Sequence, residues 1–354
     1  ALSGVYGLEQ IPTNMIERVE VVRGGGSALF GANAVGGTIN IITKDPVNNS
    51  FQVASTLSGL DAKTWKELLT NASLVSSDNS YGIAVYQAYR NRNPYDANGD
   101  GFSELGKLNM NTFGLRSYYR PTQFSRISLE YHTTNEFRRG GNKFDLQPHE
   151  TDITEQTKHI INSGGLTYDV FFREYKHKLS VYSSLQHIDR NSYYGSGMDL
   201  NAYGSTKDLT AVGGAMYVGN MDRCFFAPAT FTGGVEYQYN SLHDKMLGYQ
   251  RDLKQDVKVG SAFLQNEWKM DYFTILAGFR LDKHNLVEKL IFSPRINALW
   301  KPSEKFQGRL TWSTGFRAPQ AYDEDLHVAA VGGNMVLIRV AEGLKPERSN
   351  SFSG

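Results

Sequence analysis

From about residue 51 onward the chain alternates apolar and polar positions with a period of two. In SRISLEYHT, Ile127, Leu129 and Tyr131 alternate with Arg126, Ser128, Glu130 and His132. In YFTILAGFRLD, Phe273, Ile275, Ala277, Phe279 and Leu281 alternate with Thr274, Leu276, Gly278, Arg280 and Asp282. FQGRLTWSTGFR sets Phe306, Leu310, Trp312 and Phe316 against Gln307, Arg309, Thr311 and Ser313. Successive side chains of a strand point to opposite faces, so the pattern predicts strands with one apolar and one polar face.

The links between these strands alternate as well. SSDNS (76–80), RPTQF (120–124), FREYK (172–176), KMD (269–271) and KPSEK (301–305) read as tight polar turns. Between them lie long polar stretches near 91–109, 135–159, 189–207, 241–257 and 317–345. A soluble sandwich has no reason to keep its long loops at one end, whereas an outer-membrane barrel has short periplasmic turns and longer extracellular loops. A propeller or repeated sandwich would also alternate, yet no internal repeat of about 40 to 50 residues shares a signature. The polar face mixes Arg, Glu, Ser, Gly and Gln, as a wet lumen would. The expected fold class is all-β, an antiparallel transmembrane β-barrel with about fourteen strands before the chain ends.

Composition sharpens this picture. Of the 354 residues 40% are hydrophobic, but no apolar run approaches the roughly 18 residues of a membrane-spanning helix. That excludes a helical membrane protein and leaves the barrel, whose strands need only about ten alternating residues. Twenty Tyr, 19 Phe and four Trp beside 35 Gly suit the aromatic girdles of such barrels. Lys plus Arg (37) and Asp plus Glu (36) balance, so no strong field points to nucleic acid. The single cysteine, Cys224, excludes an internal disulfide or a cysteine metal cluster and reads as an inert thiol. The chain opens at ALSGVYG, without Met or a basic leader, and stops inside a strand-like segment. It therefore reads as an internal fragment.

The stretch IERVEVVRGGGSALFGANAVGGTINIITK, residues 16–44, needs separate attention. The cluster Gly24-Gly25-Gly26 lacks the Gly-Lys-Ser/Thr ending of a phosphate loop and the spaced glycines and later acid of a dinucleotide site. The stretch instead closely resembles the closing segment of the plug domain in TonB-dependent outer-membrane receptors. A strand of the type I-E-R-x-E-V-V-R-G leads to a small-residue turn with an aromatic-Gly pair, then to G-G-x-I-N-I-I-T-K. GFRAP at 315–319 and GLKPERSNSF at 343–352 resemble a second pair of boxes in the same family. The resemblance implies that residues 1–45 are the C-terminal part of a plug and 46–354 the N-terminal portion of a barrel of about 22 strands. Fourteen strands of a larger sheet would leave two bare edges, so this piece alone is expected to aggregate. Glu17, Arg18, Glu20 and Arg23, interspersed with Val19 and Val21, are expected to pair with the barrel's inner wall; a solvated strand face is the plainer reading.

The resemblance also implies function. A scarce, bulky ligand binds extracellular loops and the plug apex. The TonB energy-coupling complex then pulls on an N-terminal box that this chain lacks, the plug rearranges, and the ligand passes into the cell. A ferric siderophore is the first expectation, with cobalamin and haem behind it; a passive porin or adhesive barrel is the alternative from another class. No covalent chemistry is expected, because no Ser-His-Asp or Cys-His arrangement stands out. Outer-membrane lipids and a surface lipoprotein complete the expected surroundings in a Gram-negative outer membrane, and no cofactor is expected to be required beyond a structural calcium ion.

Three loops hold candidate binding residues. In NPYDANGDGFSEL, Asp96, Asn98 and Asp100 with Gly101 begin like a calcium loop, although position 12 is Lys107 and Glu104 at position 9 must substitute for the usual Glu. A turn-rich hydrophilic loop accounts for the same residues. DRNSYYGSGMDLNAYGSTKD places Tyr193, Tyr194 and Tyr203 among Ser, Gly and Asn, either to stack on a planar ligand or to cap the barrel rim. YDEDLHVAAVGG carries His327, the analogue of a haem ligand in haem receptors of this family. It stands near Arg317, Asp323, Glu324 and Asp325, which either touch ligand or form a solvated face.

Overall fold

The computed structural model describes residues 10–23, 31, 37–60, 63–322, 326, 329–331, 334–336, 341 and 343–354. The charged-apolar segment Ile16–Arg23 (β1) pairs antiparallel with Gly37–Thr43 (β2) as a separate two-stranded hairpin. A linker of six residues, 44–49, then enters one large antiparallel sheet.

That sheet begins with β3 (Ser50–Leu60), β4 (Lys63–Val75), β5 (Tyr81–Arg92), β6 (Lys107–Thr122) and β7 (Ser125–Gly141). It continues through β8 (Ile153–Phe172), β9 (His177–Ser196), β10 (Tyr203–Cys224), β11 (Ala227–Met246) and β12 (Arg251–Lys269). Next come β13 (Phe273–His284), β14 (Ile291–Ser303) and β15 (Phe306–Arg317); a small hairpin, β16 (Ala329–Val331) and β17 (Asn334–Val336), precedes β18 (Glu347–Ser353). Fourteen strands pair in an unbroken meander from β3 to β15 and on to β18. Neighbours in sequence are neighbours in space, as expected where every link only reverses direction.

The period-two pattern sorts the two faces. On β7, Leu129 and Tyr131 are exposed on the outside, while Thr134 and Glu136 are buried on the inside. The inside is identified by Gln10, ahead of the hairpin, and Asp45 of the linker, which reach Glu136, Arg116 and Arg126 there. Outward aromatics gather beside the short turns: Phe226 stacks on Trp268 with centroids 5.6 Å apart, and Trp300 meets Phe306 at 5.5 Å and Phe273 at 6.4 Å. Such rings suit an interface, apolar on one side and wet on the other.

The loops are shorter than the polar stretches suggested. Residues 135–141, 153–159, 189–196 and 251–257 belong to strands, so that only 142–152, 197–202 and 247–250 remain as links on that side. Beyond the bilayer both faces meet water or other polar groups. The alternation disappears there, although the backbone ladder runs on. Phe225-Phe226 forms a further tight turn, between β10 and β11, that its apolar side chains concealed in the sequence.

The inner face carries a recurring aromatic-on-glycine fit. Tyr118 stands opposite Gly82, Tyr86 opposite Gly114, Tyr182 opposite Gly214 and Phe263 opposite Gly234. A Cβ on Gly82 would lie 2.6 Å from the Tyr118 ring, and one on Gly214 2.6 Å from the Tyr182 hydroxyl. Each ring therefore lies flat across the neighbouring strand, covering backbone that glycine leaves bare. A Cβ on Gly114 would overlap the Tyr86 ring. Gly114→Ala is expected to destabilise the barrel by about 1–3 kcal/mol through overpacking, and the loss should shrink in the Tyr86→Ala background, where the ring is gone. The temperature at which the full-length protein loses its compact migration on a detergent gel measures both.

Candidate functional site

The hairpin leaves the sheet interior through an ionic knot. Arg116, on the inner face of β6, donates from Nε to Asp45 Oδ1 at 2.7 Å and from Nη1 to Glu130 Oε2 at 2.6 Å and Thr43 Oγ1 at 2.7 Å. Arg126 on β7 closes on the other oxygen of Asp45 at 2.8 Å, and its guanidinium lies 4.7 Å from the centre of the Tyr118 ring. Two guanidinium groups thus hold one linker carboxylate between the last plug strand and the wall. Burial raises the Asp45 pKa, but hydrogen bonds and charge from Arg116 and Arg126 outweigh it, leaving the group below its ordinary value. A depressed folded-state pKa means that the tie is present at neutral pH and is lost only as pH falls through that low value. Mild acidification would not release it.

A cavity of about 250 Å³ lies against this knot, between Met15 and Pro46 of the plug side and Tyr86, Arg116 and Glu130 of the wall. Higher on the same wall, Gln10 donates to Glu136 at 3.3 Å. Glu136 is buried and accepts from Nη2 of Arg138 at 3.1 Å; the Nε of the same guanidinium lies at 2.9 Å as an ion-pair contact, and His159 Nδ1 at 3.5 Å.

The charges of β1, expected to pair with the inner wall, have nearer partners among the described residues. Within this chain the charges of β1 pair inside the hairpin: Arg18 bonds Glu17 at 3.0 Å and Glu20 at 2.8 Å, and Glu20 accepts from Asn40 at 3.1 Å. All three charged residues are exposed, and the side chain of Arg23 lies outside the description. Short in-strand and cross-strand separations account for these local pairs. Thr43 and Asp45 make the wall contacts instead; Asp45 was legible only as a polar residue before Pro46.

The middle of the inner wall holds a second buried network. Arg280 bonds Glu236 at 2.8 Å, Asp282 at 2.8 Å and Ser261 Oγ at 2.7 Å, and Tyr182 donates to Glu236 at 2.9 Å across the gap at Gly214. Near the mouth, Thr206 donates to Asp244 at 2.6 Å, with Arg251 at 2.7 Å from the same carboxylate. Buried charges of this kind are tolerated only in pairs.

The segment after β15 folds onto the inner wall at the mouth. Gln255 makes paired amide bonds to the backbone of Ala321, at 2.8 Å and 3.2 Å, and His284 meets Gln320 at 3.2 Å. Ala321 and Leu326 pack with Ile161, Ile188 and Leu242. Arg317 lies over the Tyr322 ring, 4.0 Å from its centroid, so it packs against its own loop. Asp323, Glu324, Asp325 and His327 lie outside the described residues.

The tyrosines divide in a way the sequence did not reveal. Tyr193 and Tyr194 are buried strand residues: Tyr193 donates to Asp199 O at 3.1 Å, while Tyr194 packs against Met246 and Tyr249. This corrects their expected exposure to ligand, because β9 continues through the stretch that read as loop. Tyr203 remains exposed and meets His149 Nδ1 at 2.8 Å. Across the rim, Tyr249 donates to Asp199 at 2.6 Å. That bond and those from Asn201 lower the Asp199 pKa, while burial and the Asp199 charge raise that of Tyr249.

In the loop between β5 and β6, Asp96, Asp100 and Glu104 bring one oxygen each within 4.8 Å of one another. Backbone N–H groups hold them: Gly99 and Gly101 donate to Asp96 at 2.7 and 2.8 Å, Phe102 to Asp100 at 2.8 Å and Ala97 to Glu104 at 2.6 Å. Asn98 Oδ1 accepts from Asp100 N at 3.0 Å. Positive φ at Gly99 (76°) and Gly101 (89°) makes the tight winding practicable.

Comparison with known proteins now decides the class. The description "TonB dependent receptor-like, beta-barrel" matches residues 45–354, and "TonB-dependent Receptor Plug Domain" matches residues 1–38. The chain belongs to the TonB-dependent receptor family. Barrels of that family are Gram-negative outer-membrane proteins, and this one shares that location. An iron-regulated outer membrane virulence protein of Vibrio cholerae is 25% identical over 360 residues, covering 96% of this chain and 50% of the relative. The vitamin B12 transporter BtuB of Vibrio vulnificus is 21% identical over 329 residues, covering 91% and 50%. In structure, the siderophore receptor PirA of Pseudomonas aeruginosa superposes with a TM-score of 0.75 at 16% identity, over 97% of this chain and 59% of PirA. The chain spans about half the length of the sequence relatives it matches.

Arg116 is the residue whose removal tests the knot. Arg116→Ala leaves Asp45 and Glu130 facing each other, a loss of about 1–2 kcal/mol after allowing for their partial exposure. Amide exchange of residues 37–47 in the full-length receptor should then quicken by roughly five- to thirtyfold, and Arg116→Lys should recover only part, since lysine lacks the forked donor geometry.

Proposed function

We propose that the protein is a receptor for energised uptake of a scarce, bulky ligand, with a ferric siderophore as first candidate. The observation that supports this most is the ionic knot at Asp45. A plug strand tied to the inner wall by exchangeable polar bonds suits a stopper that must shift, and it argues against a passive pore. The siderophore receptor and the iron-regulated protein among its relatives favour iron; BtuB favours cobalamin as the second reading. Haem stands third. A deletion strain carrying the full-length gene, with and without the energy-coupling protein, should take up ferric siderophore only when coupling is intact. Uptake of cyanocobalamin or haem alone would replace the ligand assignment, and uptake that ignores the coupling protein would overturn the receptor reading.

In the same reading Asp96, Asn98, Asp100 and Glu104 bind calcium as a structural ion. Oxygens of Asp96, Asp100 and Glu104 converge, and oxygen-rich sets of this kind suit a hard cation. The ion would stiffen a loop otherwise held mainly by its own turns. Calcium at about a hundred times its Kd should stabilise the loop by about 2.7 kcal/mol, seen as slower proteolysis within residues 93–106. Asp96→Asn with Asp100→Asn should abolish the calcium effect and leave proteolysis in chelator unchanged; a wild-type loop indifferent to calcium would exclude the ion.

A further inference from the structure

We infer that the inner wall of β12–β15 carries a subsite for an anionic oxygen of the transported ligand with an N–H or O–H donor beside it. The inference rests on the uptake reading above and narrows its cargo to an iron complex that keeps net negative charge. The register sets Ser313, Arg295, Gly278 and Gln265 directly opposite one another on four adjacent strands, one row below Ser293, Arg280 and Phe263. Parity turns both rows to the lumen, as it does Arg280. Ser313 and Gln265 are buried, and Ser313 Oγ, Gln265 Oε1 and Arg295 Nε have no hydrogen-bond partner among the described residues. Gly278 has no side chain to fill the gap between Arg295 and Gln265. Buried polar groups without partners are uncommon and costly. Three in one row specify a complementary occupant: the guanidinium takes an anion, the Gln265 carbonyl takes a donor, and the Ser313 hydroxyl takes either.

Charge in this sector is unbalanced. Elsewhere on the wall Arg116, Arg138, Arg251 and Arg280 each meet a carboxylate at 2.6–2.9 Å. Among the described residues Arg295 and Arg309 meet none. The inner-face carboxylates around them are engaged, Glu236 and Asp282 with Arg280 and Glu267 with Lys269 at 3.2 Å. Arg309 shares the inner face of β15 with Ser313, four residues or roughly 13 Å lower, at the level of the Trp300 girdle. Four residues above Ser313 on the same strand stands Arg317, over Tyr322 and opposite Glu347 in register. Arg317, Arg295 and Arg309 thus mark a column from the mouth to the periplasmic end. A column of one sign along a low-dielectric wall concentrates the opposite charge. Residues 10–45 make their wall hydrogen bonds to β6 and β7, so the column lies apart from the ionic knot.

The test compares an anionic ferric tricatecholate with a neutral ferric trihydroxamate in cells making the full-length protein. The wild type should import the tricatecholate. Arg295→Gln with Arg309→Gln should lower its maximal uptake rate about tenfold, the loss expected of one charge-assisted hydrogen bond. Half-saturation of surface binding in energy-depleted cells should not change, because Arg295 and Arg309 lie below the mouth. Arg295→Lys keeps the charge and should recover part of the rate. Arg309→Gln alone, at an exposed position, should still cost about threefold and serves if the double variant fails to insert. Wild-type rates in these variants, or import of the trihydroxamate alone, would overturn the subsite and leave the uptake reading standing. Entry of vancomycin into uncoupled cells carrying the double variant would assign the two arginines to holding the plug, and would overturn it too. A wild type that imports neither complex, or imports without coupling, would sink the uptake reading and the subsite together.

Discussion

The whole structure depends on one demand: backbone polar groups that cross hydrocarbon must find partners within the chain. A meander meets that demand strand by strand from β3 to β15, and β18 extends it after a longer excursion. It leaves the side chains to divide by parity. Odd positions on β7 face lipid with Leu129 and Tyr131, and even ones face the lumen with Glu130 and Glu136. A register slip of one residue would carry Arg280 and Asp282 into the bilayer, so the buried charges of the wall also guard the pairing.

Once polar groups fill the inside, they must pair with one another. Arg280 joins strands β11, β12 and β13 through Glu236, Ser261 and Asp282. Glycine lets aromatic rings lie across this wall: Tyr182 reaches Glu236 because Gly214 of the intervening strand has no side chain in the way. Gly82, Gly114, Gly214 and Gly234 therefore serve the packing of the lumen and not a turn.

The strands and their faces were legible because a bilayer imposes a strict period of two. Legibility ended where that imposition ends. Residues 189–196 look like loop since Asp189, Arg190, Asn191 and Ser192 are polar on both faces, yet their backbone ladder continues and buries Tyr193. Asp96, Asn98 and Asp100 could be picked out together because they are close in sequence and their geometry is local. The pairing of Asp45 with Arg116 joins residues 71 positions apart, and no local pattern marks it. The charges on β1 stood out in the sequence, but nearness on the strand gave them partners within the hairpin.

The choice of polar contacts at the plug exit has a mechanical meaning. An apolar seal is lost roughly in proportion to the area exposed, about 25 cal/mol per Å², with nothing recovered along the way. Asp45, Glu130 and Arg116 are only partly buried, so water can take over each bond as it breaks. The net value of such a bond is far smaller than its value in isolation. A tie of this type holds the linker in register, and its bonds can be handed to water one at a time. The two guanidinium groups that depress the Asp45 carboxylate keep the tie in place under modest acidity.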